Sequence, residues 1–359
     1  MLRGCFIVNK LLTISRVDIN HFRGLNNLSL DNLSRVNIFA GANNAGKTSV
    51  LEAIRLMSNP SHVGQLISLS SLRTGGQGYR KNTINYLLSI FQRDIDTDES
   101  TSYYHMSIGA EISGLYHLYE VDGNVTESID IDGSTTPMLE LTVKTSNSHS
   151  PKSNYQTIEI TNESSRTFVA TEKNLFNATY LHSIVNYYRS TVANLASYIV
   201  QEGKESILNI LRTFDATIDD ISIVGEDIYL HNTATGSLPL FSYGSGMQKA
   251  VFLTVLIAFC KDGVILIDEI DNTIHVSALE NVFRWFLDAC LEYNVQAFIT
   301  THSAEALDAI LRITHEHHAK DDLLRIITLR KDSSIIRKRV RTGEDAYRDR
   351  QDFELELRI

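Results

Sequence analysis

The chain has 359 residues, enough for one large domain or two ordinary ones with a substantial buried core. With 43% hydrophobic residues it has the composition of an ordinary globular protein, which excludes a disordered or low-complexity chain. The net charge of -10 argues against a protein whose whole surface binds a polyanion, although a local basic strip remains compatible with it.

The cysteines and apolar runs indicate a cytoplasmic protein. Cys5, Cys260 and Cys290 are an odd number without a C-x-x-C pair, so we expect reduced thiols. The opening "MLRGCFIVNKLL" lacks the apolar run and cleavage site of a secretion signal. The longest apolar run, 250–260, is far shorter than the ~20 residues of a membrane-spanning helix, so we predict a buried helix and no membrane partner.

The N-terminal part predicts two strands, in "LLTISRVDINHFRGL" and "SRVNIFAG", joined by the turn-like "NNLSLDNLS". The second strand leads into the glycine-rich "GANNAGKT", residues 41–48, and "KTSVLEAIRLM" continues with apolar residues at helical spacing. A strand, a glycine-rich loop and a helix are the context that a phosphate-binding loop requires.

The middle of the chain changes pattern three times. Residues 61–93 predict a mixed, mainly helical stretch. Alternating apolar and polar residues between 103 and 170 predict an inserted antiparallel sheet, and residues 176–214 return to helical periodicity.

The C-terminal part predicts an alternating α/β unit. A short hairpin in residues 219–232 precedes "YGSGMQKAVFLTVL", which begins a buried helix, and the apolar "GVILIDE" is typical of a covered parallel strand. A helix over 277–293, the strand "VQAFITT", a helix from 304 and the strand "LLRIITL" complete the unit. We interpret the basic "RKRVR", 337–341, as one solvated face of a strand.

The glycine-rich loop fits the pattern G-x-x-x-x-G-K-[ST], which binds nucleotide phosphates through backbone N–H groups and a helix N-terminus. Lys47 is expected to reach the β and γ phosphates of ATP, and Thr48 to ligate Mg²⁺. The predicted nucleotide-binding residues of this loop are Gly41, Asn43, Asn44, Ala45, Gly46, Lys47, Thr48 and Ser49.

Three further side chains are predicted to act at the same sheet edge. Asp268 and Glu269 follow a buried strand, where Asp268 would hold Mg²⁺ and Glu269 would orient or deprotonate the attacking water. His302 follows the next strand and could sense the γ-phosphate, since open α/β sheets bind ligands at the carboxyl ends of their strands.

A second phosphate-binding surface is predicted at Ser245 and Gly246, where a serine between glycines starts a buried helix. One nucleotide does not need two such surfaces in one subunit. Two chains facing each other head-to-tail would use both, so we expect a homodimer or a higher homo-oligomer.

These motifs, in this order, resemble the Walker A, signature, Walker B with D-loop, and H-loop of ABC-type ATPases. The resemblance is strongest to the RecF/SMC branch and to the ATPase domains of OLD (overcoming lysogenization defect) proteins. It implies an α/β P-loop NTPase fold with a mixed β-sheet core, an inserted antiparallel β region and a helical segment. It also places Asn272 and His275 of "DNTIH" near a dimer interface, with Val276 replacing the usual proline.

The resemblance implies a single ATPase domain over 1–359, split into 1–58, an inserted 59–218 and 219–359. Its Q-loop residue stays open between Gln77 and Gln92. The segment between Walker A and the signature has no sustained heptads, and the stretch after His302 is shorter than a typical domain of ~100 residues. We therefore expect neither coiled-coil arms nor a nuclease domain.

Two functions follow from the resemblance. In the first, ATP binding and hydrolysis drive a dimeric switch that senses a trigger and controls a separately encoded effector, such as a nuclease, toxin or retron-type module, in bacterial anti-phage defence. In the second, the protein is a RecF-like ATPase of DNA repair that binds nucleic acid. The overall acidity and the missing arms favour the first.

Overall fold

The structure is a computed structural model, and its described residues form two compact units. One unit takes its described residues from 13–33 and 56–176, and the other takes them from 34–55 and 177–358. The described residues are 13–72, 83–92, 103–129, 135–161, 165–168, 174–181, 192, 195–197, 199, 204–272, 274, 276, 279–316, 323–333, 335–353 and 355–358. That these units act as the single, three-part ATPase domain of the sequence interpretation stays a prediction.

The first unit contains a seven-stranded antiparallel sheet. Its strands are β1 (Ile14–Asn20), β2 (Leu28–Leu30), β4 (Tyr103–Ile112), β5 (Leu115–Ile129), β6 (Thr135–Asn147), β7 (Ser150–Ile160) and β8 (Ser165–Phe168). They lie in the order β2-β1-β4-β5-β6-β7-β8. The helices of this unit are α2 (Val63–Leu72) and α3 (Thr83–Leu88).

The antiparallel sheet predicted between 103 and 170 is present, and its described strands end at Phe168. It is not a self-contained insertion, because β1 pairs with β4 through registers such as Ile19 opposite Ile108. The segment predicted as a turn between the first two strands contains the short strand β2, which pairs with the other edge of β1. A three-residue strand is too short to show an alternating pattern in the sequence.

The second unit is built around a six-stranded sheet. Its strands are β3 (Val36–Ala40), β9 (Ala178–Leu181), β13 (Val264–Ile267), β14 (Gln296–Thr300), β15 (Leu324–Asp332) and β16 (Ile335–Thr342), and a small antiparallel sheet has β10 (Ile218–Val224), β11 (Asp227–Asn232) and β12 (Gly236–Pro239). The larger sheet has the order β16-β15-β3-β14-β13-β9, and only its β15–β16 pair is antiparallel.

Helices alternate with these strands along the sequence of the second unit. Helix α1 begins in this unit and ends in the first. Their bounds are α1 (Lys47–Ser58), α4 (Glu205–Phe214), α5 (Ser245–Phe259), α6 (Leu279–Glu292), α7 (Ala304–Glu316) and α8 (Gly343–Phe353). Among the residues that the structure describes, none of the helices has both the length and the apolar composition needed to cross a bilayer.

The central strands β3, β14 and β13 are buried along their whole length. Their nearly continuous apolar sequences, "VNIFA", "QAFIT" and "VILI", are those of parallel strands covered on both faces. Because the three strands are parallel neighbours, the loops that follow them meet at one edge of the sheet. The glycine-rich loop, the Asp268 turn and the His302 loop all begin there.

The helical interpretation of 176–214 is wrong at its start, because Ala178–Leu181 is the strand β9. This strand pairs in parallel with β13, with Tyr180 opposite Leu266. A stretch of four residues is too short for its apolar spacing to distinguish a strand from a helix. Its conformation is therefore determined by its pairing with β13. Helix α4 at the end of the segment agrees with the prediction.

Candidate functional site

The glycine-rich loop connects β3 to α1, as predicted. Gly41 opens it with φ of 143°, a conformation that essentially only glycine adopts. A Cβ at this position would lie 2.2 Å from the carbonyl oxygen of Leu329, a backbone atom of β15. The first glycine of the motif is therefore required by the conformation of the loop and by its close approach to the neighbouring strand.

The Lys47 side chain closes the loop on itself. Its Nζ atom donates hydrogen bonds to the carbonyl oxygens of Gly41, at 2.7 Å, and Ala42, at 2.9 Å. Burial lowers the pKa of Lys47, and neighbouring carboxylates, Asp268 foremost, oppose that lowering. A buried ammonium held by carbonyl oxygens at a helix N-terminus can exchange these contacts for phosphate oxygens.

The other loop residues named from the motif divide by exposure. Asn43 and Asn44 are exposed at the tip of the loop, and Asn44 has φ of 63°. Ala45 and Ser49 are buried, and Gly46 is half-buried with φ of 91°.

Thr48 and Asp268 meet at the start of α1 and the end of β13. The Thr48 Oγ1 atom lies 3.1 Å from each carboxylate oxygen of Asp268, and only 5% of Asp268 is exposed. A hydroxyl and a carboxylate are the hard oxygen ligands that Mg²⁺ accepts alongside water and phosphate oxygens. This donor set fits a magnesium ion.

Glu269 follows Asp268 in an unusual backbone conformation, with φ of 53°. Its N–H donates a 2.8 Å hydrogen bond to Thr300 Oγ1, and its side chain is half-buried. A non-glycine residue in the left-handed region is held there by its surroundings and is frequent at functional sites. Two consecutive carboxylates thus follow one buried strand, and the second of them is on a residue with this backbone conformation.

Thr300, at the end of β14, and the residue after it contact the turn formed by residues 268–271, which we call the acidic turn, at two points. Thr300 Oγ1 donates to Asp268 Oδ1 at 2.6 Å, and Thr301 Oγ1 donates to Asp271 Oδ1 at 2.5 Å. His302 follows and is exposed, while its carbonyl oxygen accepts a 3.0 Å hydrogen bond from Arg358. His302, the predicted γ-phosphate sensor, therefore directly follows Thr301, which contacts the acidic turn.

The predicted signature segment forms the N-terminus of α5. Ser245 is the first helical residue, and Gly244 before it provides no side-chain cap. Gln248 Nε2 donates to the Tyr243 carbonyl oxygen at 2.8 Å, and this bond holds the segment before the helix against its first turn. The first N–H groups of such a helix have no intrahelical acceptor, as an anion-binding site requires.

Lys249, which the sequence interpretation missed, links this helix to the acidic segment. Its Nζ atom donates to the Asn272 carbonyl oxygen at 3.1 Å. Burial lowers the pKa of Lys249, and the negative charges of Asp271 and Glu269 oppose the lowering. Thr300 and Thr301 were also missed, although the two consecutive hydroxyls in "ITTHS" at a strand end were a usable signal.

Four further predicted residues have other outcomes. Gln77 and His275 lie outside the described residues, and Val276 is 61% exposed. Gln92 belongs to the first unit, where its N–H donates to the His21 carbonyl oxygen at 3.1 Å. The Q-loop residue therefore stays open.

Comparisons with known proteins show what the whole chain is similar to. A family model described as "AAA domain, putative AbiEii toxin, Type IV TA system" matches residues 36–308. The chain is 24% identical over 382 residues to an ATP/GTP phosphatase of Helicobacter pylori, covering 92% of this chain and 96% of that protein. It is 36% identical over 70 residues to the DNA replication and repair protein RecF of Nitrosococcus oceani, covering 20% of this chain and 19% of the relative.

A solved structure of an SMC head bound to the C-winged helix domain of ScpA resembles the chain with a TM-score of 0.54. The identity is 11%, and the match covers 93% of this chain and 98% of that one. This likeness confirms the predicted α/β ABC-type ATPase fold. The chain belongs to the AAA-domain family whose model spans residues 36–308, and it is an ATPase with the fold of an SMC head.

Proposed function

We propose that the protein is an ATP-dependent switch that closes as a head-to-tail homodimer and controls a separately encoded effector. The observation that carries this proposal is the presence of two helix N-termini, those of α1 and α5, that both follow glycine-containing loops, a setting that suits anion binding. Each ATP would lie between Lys47 of one chain and Ser245 of a second copy. Binding of ATP would favour the closed dimer and hydrolysis the open one.

The sheet edge of the second unit supports a hydrolytic mechanism. Lys47 and the loop N–H groups would hold the phosphates. Thr48 and Asp268 would hold Mg²⁺, which would neutralise developing negative charge on the transferred phosphoryl group. Glu269 would orient or deprotonate the attacking water, and His302 would contact the γ-phosphate.

Protein partners and a role in defence are supported by the comparisons at the level of analogy. The matching family model carries a toxin and a toxin–antitoxin system in its description, and the similar SMC head was solved with a bound protein domain. We propose that the protein has an OLD-like role in anti-phage defence in the cytoplasm. In this role the ATPase senses a trigger, and the effector carries out the defensive reaction.

A RecF-like DNA-binding ATPase is the second candidate function. The match to RecF supports it, and so does the exposed basic stretch Arg337, Lys338 and Arg339 on the edge strand β16. Acidic residues partly neutralise this stretch, since Arg337 lies 3.3 Å from Asp332. Duplex DNA that stimulates ATP hydrolysis in a strongly salt-dependent way would favour this function over the first.

The dimer is tested by complementation. Ser245→Arg and Lys47→Ala should each be inactive alone, because each removes a different half of every composite site. Their heterodimer regains one intact site, so an equal mixture should recover about a quarter of the wild-type rate if subunits exchange randomly. An active Ser245→Arg protein would contradict the assignment of Ser245 to the site of the opposing chain.

The effector is tested by co-expression with the adjacent genes and purification through this chain. We expect a stable complex whose assembly or activity changes in Lys47→Ala. A protein that purifies alone from its native host and whose ATPase activity responds to DNA would replace this proposal with the RecF-like one.

A further inference from the structure

Thr300 is the last residue of β14, and no part of it is exposed. The parallel register sets Ile299 opposite Ile267, so the residues that follow these two, Thr300 and Asp268, lie side by side. The position of Thr300 is therefore determined by sheet pairing and not by a flexible loop.

The Thr300 hydroxyl uses both of its capacities on the acidic turn. It donates to Asp268 Oδ1 at 2.6 Å and accepts the N–H of Glu269 at 2.8 Å. The Thr300 carbonyl oxygen accepts the N–H of Ile270 at 3.1 Å. One residue of β14 thus contacts three consecutive residues of the turn that follows β13.

The direction of these bonds follows from the groups involved. An ionised carboxylate only accepts, and a peptide N–H only donates, so the single hydroxyl proton of Thr300 must point to Asp268. The arrangement leaves no alternative proton position that satisfies both partners. It therefore selects one orientation of the carboxylate and one orientation of the Glu269 peptide.

Asp268 is held from two sides, by Thr48 and by Thr300. The Thr48 contacts are 3.1 Å long and involve both carboxylate oxygens, whereas the Thr300 contact is shorter and involves Oδ1 alone. When Thr48 engages a cation or a nucleotide, the Thr300 contact is the one that does not have to change. Buried partners of this kind orient the ligands of a metal ion.

Glu269 depends on the same hydroxyl in a different way. Its φ of 53° requires local support, and the N–H that Thr300 accepts is the one closest to this strained bond. Without the acceptor, this N–H would lose its partner at the edge of a buried sheet. One of the hydrogen bonds that fix the orientation of this peptide, and with it the direction of the Glu269 side chain, would then be lost.

We propose that Thr300 is a positioning residue for ATP hydrolysis: its hydroxyl sets the Asp268 carboxylate and the Glu269 backbone for metal binding and water activation. This inference rests on the roles proposed above for Asp268 and Glu269. It gives the end of β14 a role in the reaction in addition to that of His302, which follows this strand.

The test compares Thr300→Val, which keeps the shape and removes the hydroxyl, with Thr300→Ser, which keeps the hydroxyl. Thr314→Val is the matched control, because Thr314 is also buried and donates a 2.6 Å hydrogen bond, but to the Ile310 carbonyl oxygen within α7. Kinetics of ATP hydrolysis give kcat and KM. Binding of a fluorescent ATP analogue, measured in EDTA and across a Mg²⁺ titration, gives a readout that does not depend on turnover.

We expect Thr300→Val to lower kcat by about 10- to 100-fold, as is usual for residues that orient metal ligands, with little change in KM. In EDTA, this variant should bind the ATP analogue with the affinity of the wild type. In the Mg²⁺ titration, it should need a higher Mg²⁺ concentration than the wild type to reach the half-maximal change in analogue binding. Thr300→Ser should recover most of kcat, and Thr314→Val should behave as the wild type.

Wild-type kcat and Mg²⁺ response in Thr300→Val would overturn the proposal, and so would equal losses in Thr300→Val and Thr314→Val. Glu269→Gln, measured in parallel, separates this failure from failure of the site assignment. If Glu269→Gln is inactive and Thr300→Val is active, only the role of Thr300 is wrong. If Glu269→Gln is active as well, the assignment of the carboxylates is wrong.

Discussion

Gly41→Ala tests whether the close approach of the glycine-rich loop to β15 is required for stability and nucleotide binding. The added Cβ would lie 2.2 Å from Leu329 O, which belongs to the backbone of a strand paired on both sides. Neither partner can rotate away as a flexible side chain would. The loop or the β3–β15 pairing must therefore move.

The expected cost has two parts. Holding a non-glycine residue at φ of 143° costs about 1–3 kcal/mol, and forcing an extra carbon into a packed region costs about a further 1–3 kcal/mol. We expect the free energy of unfolding to fall by about 2–6 kcal/mol in total. Since Lys47 Nζ donates to the Gly41 carbonyl oxygen, ATP affinity should fall as well.

The matched control is Gly225→Ala, in the turn between β10 and β11. Gly225 also has positive φ, 66°, but its added Cβ would meet nothing within 4 Å. This variant should lose only the backbone part, about 1–2 kcal/mol, and should keep its ATP affinity. Urea unfolding and analogue binding measure both quantities, and equal stabilities of the two variants would refute the role of the Leu329 contact.

Two further predictions concern the reaction and the core. Glu269→Gln should bind ATP with nearly wild-type affinity but hydrolyse it at least about 100-fold more slowly, because an amide cannot accept the water proton; undiminished steady-state turnover would contradict this role. Cys260 and Cys290 are buried, and burial raises the pKa of Cys260 to about 11 and also raises the pKa of Cys290. The thiolate is thus disfavoured in the folded state, so both thiols should react with a disulfide reagent only after unfolding. Rapid labelling of both thiols at neutral pH without denaturant would show that this core opens readily.

The geometry of the candidate nucleotide site was largely predictable because its parts are local. The sequence "GANNAGKT" between an apolar strand and a helical pattern needs only adjacent residues to form a loop for phosphates. Likewise, "VILIDE" predicts a buried strand that ends in two carboxylates, and Asp268 does lie beside Thr48. The order of the motifs along the chain was sufficient to identify the type of ATPase fold.

The remaining features depend on which strands become neighbours. The order β3-β14-β13 and the pairing of Ile267 with Ile299 bring Thr300 to Asp268, 32 residues away along the chain, and no local pattern encodes that register. The contact of Lys249 with Asn272 arises in the same way, from packing between distant segments. Local periodicity thus determined the elements and the motif residues, whereas the hydrogen bonds that orient the two carboxylates were decided by strand pairing, because such bonds join atoms that only the assembled sheet brings together.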